Sequence, residues 1–145
     1  MKFYESGDNR KPVIFLFPGT CCLYSSFDHV LDGLHSYFYT VAVSYDGFVN
    51  MFGIDKGGSP WITKQSVYNQ FYSDLVTKVQ HGIDVPGTTI HVFYATKMGK
   101  KYEKRYCTYF KNPDIRRHNM QHEELFCCHS AEWVEEVRKA VEGDR

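Results

Sequence analysis

Three observations predict an α/β fold, a three-layer domain whose mostly parallel sheet of about four strands is flanked by helices. Short apolar runs near 13–17, 39–45 and 89–94, and a short fourth strand read at 114–119, alternate with helical patterns. The first two runs, with the helix pattern between them, fall within about 35 residues, the span of a βαβ unit, which makes them a parallel pair. Hydrophobic residues form 43% of the 145 positions and aromatics 17%, enough to pack one core without disulfides or a metal.

The elements follow in order. Lys11-Pro12 breaks the chain before Val13-Ile14-Phe15-Leu16-Phe17, a continuous apolar run closed by Pro18-Gly19 that reads as a strand buried on both faces. Phe27, Val30, Leu31, Leu34 and Phe38 recur at helical spacing, with Ser25 or Ser26 placed to cap the helix. Tyr39 to Tyr45 is the next strand, ended by Asp46-Gly47. Gly53, Gly57, Gly58 and Pro60 make residues 49–61 an irregular link. Val67, Phe71, Leu75 and Val79 step by four along a second helix, which Gly82 stops. Pro86-Gly87 turns the chain into the strand at Thr89–Tyr94. Met98, Tyr102, Tyr106 and Tyr109 or Phe110 mark a helix whose other face carries Lys97, Lys100, Lys101, Lys104 and Arg105, a solvated basic side. Pro113 precedes a short strand at Asp114–Asn119, and Ser130 is placed to cap a last helix with Trp133, Val134, Val137 and Val141 on one stripe. The organisation is one domain over 1–145: an N-terminal βαβ piece (11–48), the link (49–61) and a C-terminal αβαβα piece (62–145).

Charge and cysteine content narrow the function classes. Seventeen Lys+Arg balance seventeen Asp+Glu, so the basic excess expected of a nucleic-acid binder is missing. The longest apolar run is far below the ~18 residues of a membrane helix. Met1 to Asp8 carry no basic-then-apolar signal segment, and the odd set of cysteines at 21, 22, 107, 127 and 128 suits reduced thiols in a cytoplasm better than a disulfide framework. His118-x3-His122 followed by Cys127-Cys128-His129 has metal-ligand residue types. Ligands at i and i+4 converge on a helix, however, and this segment reads as strand and loop, so no metal and no cofactor is expected.

In open α/β sheets, sites lie beyond the carboxyl ends of the strands. Those ends carry Pro18-Gly19-Thr20-Cys21-Cys22, Ser44-Tyr45-Asp46-Gly47, Ala95-Thr96-Lys97-Met98-Gly99 and Met120-Gln121-His122-Glu123-Glu124. On these segments the chain resembles the α/β-hydrolase family. The first strand with Pro18-Gly19-Thr20 is similar to that fold's oxyanion loop, and Ile90–Tyr94, His122 and Ser130–Val141 resemble its last strands, histidine loop and closing helix.

The resemblance implies acyl transfer by a Ser-His-acid triad on a small ester or acyl ligand. It makes His122 the general base and places the oxyanion loop at Gly19, Thr20 and Cys21, with backbone N–H groups near Thr20 and Cys21 as half of the hole. The family's G-x-S-x-G elbow is nowhere in the chain; Gly57-Gly58-Ser59-Pro60 comes nearest, with a proline in the motif. No carboxylate follows the strand at 89–94 before Glu103, which leaves Asp46 as the candidate acid. The matched pieces are the two ends of a fold that usually runs to about 200–250 residues. The expectation is therefore a truncated, hydrolase-like protein without serine-hydrolase turnover, a pseudo-hydrolase. The alternative is a residual esterase in which His122 serves an unconventional nucleophile, Cys21, Cys22 or Ser59. Loss of the elbow strand should bring Val13–Phe17 beside Ile90–Tyr94, or leave a sheet edge open to a second copy of the chain.

Overall fold

The computed structural model describes residues 2–19, 22–44 and 64–143. It confirms a mixture of helices and strands, arranged as two small sheets, one of three strands and one of two, in place of a single sheet of about four. Contacts divide the chain into two units, Met1–Thr77 and Lys78–Arg145.

In the first unit β1 (Lys2–Ser6) runs antiparallel to β3 (Tyr39–Ser44), and β2 (Val13–Leu16) runs parallel to it, giving the order β1-β3-β2. The registers are Lys2↔Ser44 through Ser6↔Thr40 and Val13↔Tyr39 through Leu16↔Ala42. A 3-10 turn (Tyr24–Phe27) leads into α1 (Asp28–His35) between β2 and β3, so the expected strand-helix-strand unit with a parallel pair is present. Strand alternation puts Thr40, Ala42 and Ser44 on one face with Leu16, and all four are buried. The turn lies on that face: the Tyr24 N–H donates to Ser44 Oγ at 3.2 Å, and the Tyr24 ring stacks on Tyr4 with centroids 3.6 Å apart. Val30 and Leu34 of α1, with Leu23, Phe27 and Phe38, complete the buried apolar set. On the other face Val41 and Val43 are buried, while Phe3, Val13 and Phe15 are each more than half exposed. Neither Ser25 nor Ser26 caps α1; the Ser26 hydroxyl instead donates to the Leu23 carbonyl at 2.6 Å and tightens the 3-10 turn. After β3 comes α2 (Lys64–Val76), on which Phe71 and Leu75 are exposed, so the stripe expected to be buried faces outward.

In the second unit β4 (His91–Ala95) pairs in parallel with β5 (Asp114–His118), from His91↔Asp114 to Ala95↔His118. Val13–Leu16 therefore has β3 as its partner, and the strand expected beside it pairs with β5 instead. Between β4 and β5 lie a short 3-10 turn (Thr96–Met98) and α3 (Lys100–Tyr109). The buried Tyr94 meets Tyr106 of α3 edge to face at 5.9 Å, and Arg117 of β5 donates to Glu103, so α3 covers the face that bears Tyr94 and Arg117. Lys100, Lys101, Lys104 and Arg105 are exposed, as the basic side of that helix should be. Two helices end the chain, α4 (Glu124–Cys128) and α5 (Ser130–Glu142). Phe126 and Trp133 join them edge to face at 5.2 Å, and Arg116 of β5 donates to the Glu136 carbonyl of α5 at 3.3 Å. Ser130 is the first helical residue and makes no cap bond; Val134 and Ala140 are the buried positions of α5, and Val141 is exposed.

Candidate functional site

A pocket opens at the carboxyl ends of β4 and β5, where the parallel strands run out and their connections part. Ala95 and His118, the last residues of the two strands and register partners, form its floor together with Phe93. The connections are tied together there. The Lys97 N–H donates to the Met120 carbonyl at 3.2 Å, the Met120 N–H to the His118 carbonyl at 2.8 Å, and the Thr96 hydroxyl to the same His118 carbonyl at 3.2 Å. Met98 and Tyr106 wall one side, and Leu125, Phe126 and Trp133 the other. The pocket is partly open to solvent and has a volume of about 190 Å³.

His118 is the polar group of the floor. Its ring stands edge to face against Phe93, centroids 6.0 Å apart and planes at 88°. Its Nε2 atom is buried and has no hydrogen-bond partner among the described residues. A buried polar atom left in this state costs about 1–3 kcal/mol, a penalty that folded proteins rarely leave standing without a reason.

His122 lies at the rim. Its side chain is 70% exposed, and its Nε2 lies 3.6 Å from a Glu123 carboxylate oxygen that is itself mostly exposed. Among the described residues no serine or cysteine side chain partners its ring. The turn that carries it is tightly drawn: Glu123 has left-handed backbone (φ 58°), and the Gln121 N–H donates to the Glu124 carboxylate at 2.6 Å ahead of α4. The Glu123 carboxylate thus belongs to the rim and the Glu124 carboxylate to the turn, and neither stands behind the imidazole as the acid of a charge relay does.

The remaining sequence candidates fall in the first unit or outside the description. Thr20, Cys21, Asp46 and Ser59 lie outside the described residues. Gly19 closes a turn in which its carbonyl accepts from the Cys22 N–H at 3.0 Å, so that amide is already occupied, and the Cys22 thiol is exposed. A serine–histidine pair does form, at a place the sequence did not mark. Ser6 Oγ lies 2.9 Å from His35 Nε2 and 2.7 Å from Thr40 Oγ1, which is in turn 3.1 Å from the same His35 nitrogen. Both hydroxyls meet the same ring nitrogen, whereas the acid of a triad bonds the other one. The arrangement pins the end of β1 to α1 and β3.

Among the described residues no three His, Cys, Asp or Glu side chains gather as a metal cluster. The charged groups of the β4–β5 sheet are spent on the scaffold. Arg116, 3.0 Å from Asp114, and His91, 2.8 Å away, hold the Asp114 carboxyl below the ordinary carboxylate range, Arg116 contributing most. Burial, and to a lesser degree the nearby Glu103 carboxylate, push the Tyr94 phenol up, so it stays protonated at neutral pH.

Sequence reasoning pointed to the loop at which this pocket opens, because sites in open parallel sheets lie beyond the strand ends. It weighed His118 only as a metal-ligand type; its alternation with Arg117 places it on the face opposite Tyr94's helix. No protein-family model matches the chain, and neither a curated protein nor a solved structure matches it.

Proposed function

We propose that the chain is a truncated, α/β-hydrolase-like protein that has kept a small-molecule pocket and lost acyl-transfer turnover. The observation that carries this reading is the setting of His122. A general base has to reach the proton it abstracts, directly or through one water, and an acid must hold it in the right tautomer. His122 points from the rim into solvent beside Glu123, with no serine or cysteine partner among the described residues. The sequence supports the same reading through its missing G-x-S-x-G elbow. Removing a triad nucleophile costs about 10⁶ in rate, so what remains is binding.

Two further parts of the reading concern setting and assembly. Cys22, Cys107, Cys127 and Cys128 are exposed thiols, which suits a reducing, cytoplasmic compartment. β2 is an edge strand in the three-stranded sheet, and Val13, Phe15 and Phe17 are exposed along it, which favours pairing with a second copy. No described helix is long and apolar enough to cross a membrane.

A fluorophosphonate tests the loss of the nucleophile, since it phosphonylates an activated serine with release of fluoride. The intact mass should be unchanged after incubation. An adduct that disappears in His122→Ala would establish the residual esterase instead.

A further inference from the structure

We propose that the exposed side of α3 binds single-stranded nucleic acid, with phosphates on the row Lys100, Lys101, Lys104 and Arg105 and a base against the tyrosines of the adjoining groove.

Charge comes first. The zero balance of the chain is a sum over unequal parts, for eight cations and only two acids, Glu103 and Asp114, stand between Lys97 and Arg117. Both acids are taken, by Arg117 and Arg116, and Lys111 is paired with Asp84. Lys97, Lys100, Lys101, Lys104 and Arg105 remain, all exposed and without an acidic partner among the described residues. The last four are three and four apart along α3, where like charges repel and weaken a helix. Lys100 and Lys104 are separated by about 6 Å along its axis. The fold leaves this repulsion standing. A bound polyanion removes it and gains by shedding its own counterions.

Aromatic rings decide the kind of polyanion. Beside the row runs an open groove lined by Met98, Tyr102, Arg105, Tyr106, Tyr109 and Phe110, so Arg105 belongs to both. The Lys101 ammonium lies 5.1 Å and the Arg105 guanidinium 5.9 Å from the centre of the Tyr102 ring. Cations and ring thus share one surface. Tyr94 meets Tyr106 edge to face, and His81 meets Tyr109 in the same way at 5.3 Å, which holds these rings in place ahead of binding. Fixed aromatic faces beside a cationic track are the two parts with which proteins hold single strands, stacking bases and following the backbone. A duplex hides its base faces. A membrane surface needs apolar side chains protruding beside the cations, and the four aromatic residues of this groove are half-buried.

The probe is a fluorescein-labelled oligouridylate of about ten nucleotides, titrated with the full chain and followed by anisotropy between about 50 and 200 mM salt. Saturable binding is expected, and log Kd should rise against log salt with a slope of about 3, the row's cations contributing about 0.7 each. The double variant Lys100→Gln, Lys104→Gln should lower that slope by about 1.4, and it relieves repulsion in the helix, so it should fold. Tyr102→Leu should weaken binding about fivefold or more with the slope unchanged. Lys139→Gln on α5, away from the row, should change neither. Inorganic polyphosphate of equal charge carries no bases; it should bind more weakly than the oligonucleotide and be indifferent to Tyr102→Leu. Circular dichroism reports that each variant folds. No saturation at the lowest salt, equal affinity for polyphosphate, an unchanged slope in the lysine variant or an unchanged affinity in Tyr102→Leu would overturn the proposal. Tighter binding to phosphatidylserine vesicles than to the oligonucleotide would assign the face to a membrane and overturn it as well.

Discussion

The imidazole of His118 stands at right angles to the Phe93 ring, 6.0 Å away across the β4–β5 pair, with its Nε2 buried and without a hydrogen-bond partner among the described residues. Packing favours the ring and desolvation opposes its nitrogen. His118→Phe should therefore raise the stability of the unliganded protein by about 1 kcal/mol, the lower part of the range for relieving an orphaned buried polar atom. Urea unfolding measures it. A loss of stability would mean that the nitrogen has a partner in solution.

Asp114 gives the acid limb of the stability profile. Its carboxyl is held low by Arg116 first and His91 second, so its folded pKa lies below the unfolded value of about 3.9. A group depressed in this way contributes stability above the unfolded pKa and loses it as pH falls through the folded one. The urea midpoint should thus drop below about pH 4, and less steeply in Asp114→Asn. The carboxylate is 44% exposed, and solvent screening keeps its contribution below about 1 kcal/mol. Parallel acid limbs in the two proteins would contradict the assignment.

Glu123 pays for the shape of the histidine loop. A left-handed backbone costs a non-glycine residue about 1–2 kcal/mol. Glu123→Gly should raise the melting temperature, by an amount equivalent to about 0.5–1 kcal/mol once the added freedom of the unfolded chain is subtracted. A lower melting temperature would show that the exposed Glu123–His122 contact matters more than the strain.

The Ser6–His35–Thr40 cluster is structural, and its variants should affect stability alone. Ser6→Ala should cost about 1 kcal/mol, one hydrogen-bonding group removed from a part-buried network. Gly7→Ala should cost more, because Gly7 has φ +94° and an added Cβ would lie 3.0 Å from the His35 ring and 3.2 Å from the Phe38 carbonyl. Unfolding curves decide. A neutral Gly7→Ala would show that β1 does not hold this register.

Assembly through β2 has its own test. Phe15→Lys places a charge on the open strand, a common protection of natural sheet edges. Sedimentation should show a concentration-dependent dimer for the parent chain and a monomer for the variant. A parent chain that stays monomeric at all concentrations would remove the proposed contact.

What the sequence made legible follows from the range of its interactions. α1 and the β2–β3 pair were readable because Val30, Leu34 and the apolar runs carry local periodicity, and the same holds for β4, α3, β5 and α5. β1 was not, since Lys2–Ser6 mixes charged and aromatic residues and becomes a strand only by pairing with β3. Strand order was misjudged for a related reason. Val13–Phe17 looked buried on both faces because it is continuously apolar, yet Val13 and Phe15 are exposed at an edge. His122 was found from its loop, but nothing in a linear sequence reports that its ring faces solvent. His118 was read only as a metal-ligand type, because a buried nitrogen without a partner among the described residues is a property of three-dimensional packing.

The loss of turnover is the central claim, and hydrolysis of a short-chain activated ester tests it most directly. The parent chain and His122→Ala should hydrolyse it at the same slow rate, without saturation. A saturable rate that falls by 10² or more in His122→Ala, the usual range for loss of a general base, would contradict the account and make the protein an esterase.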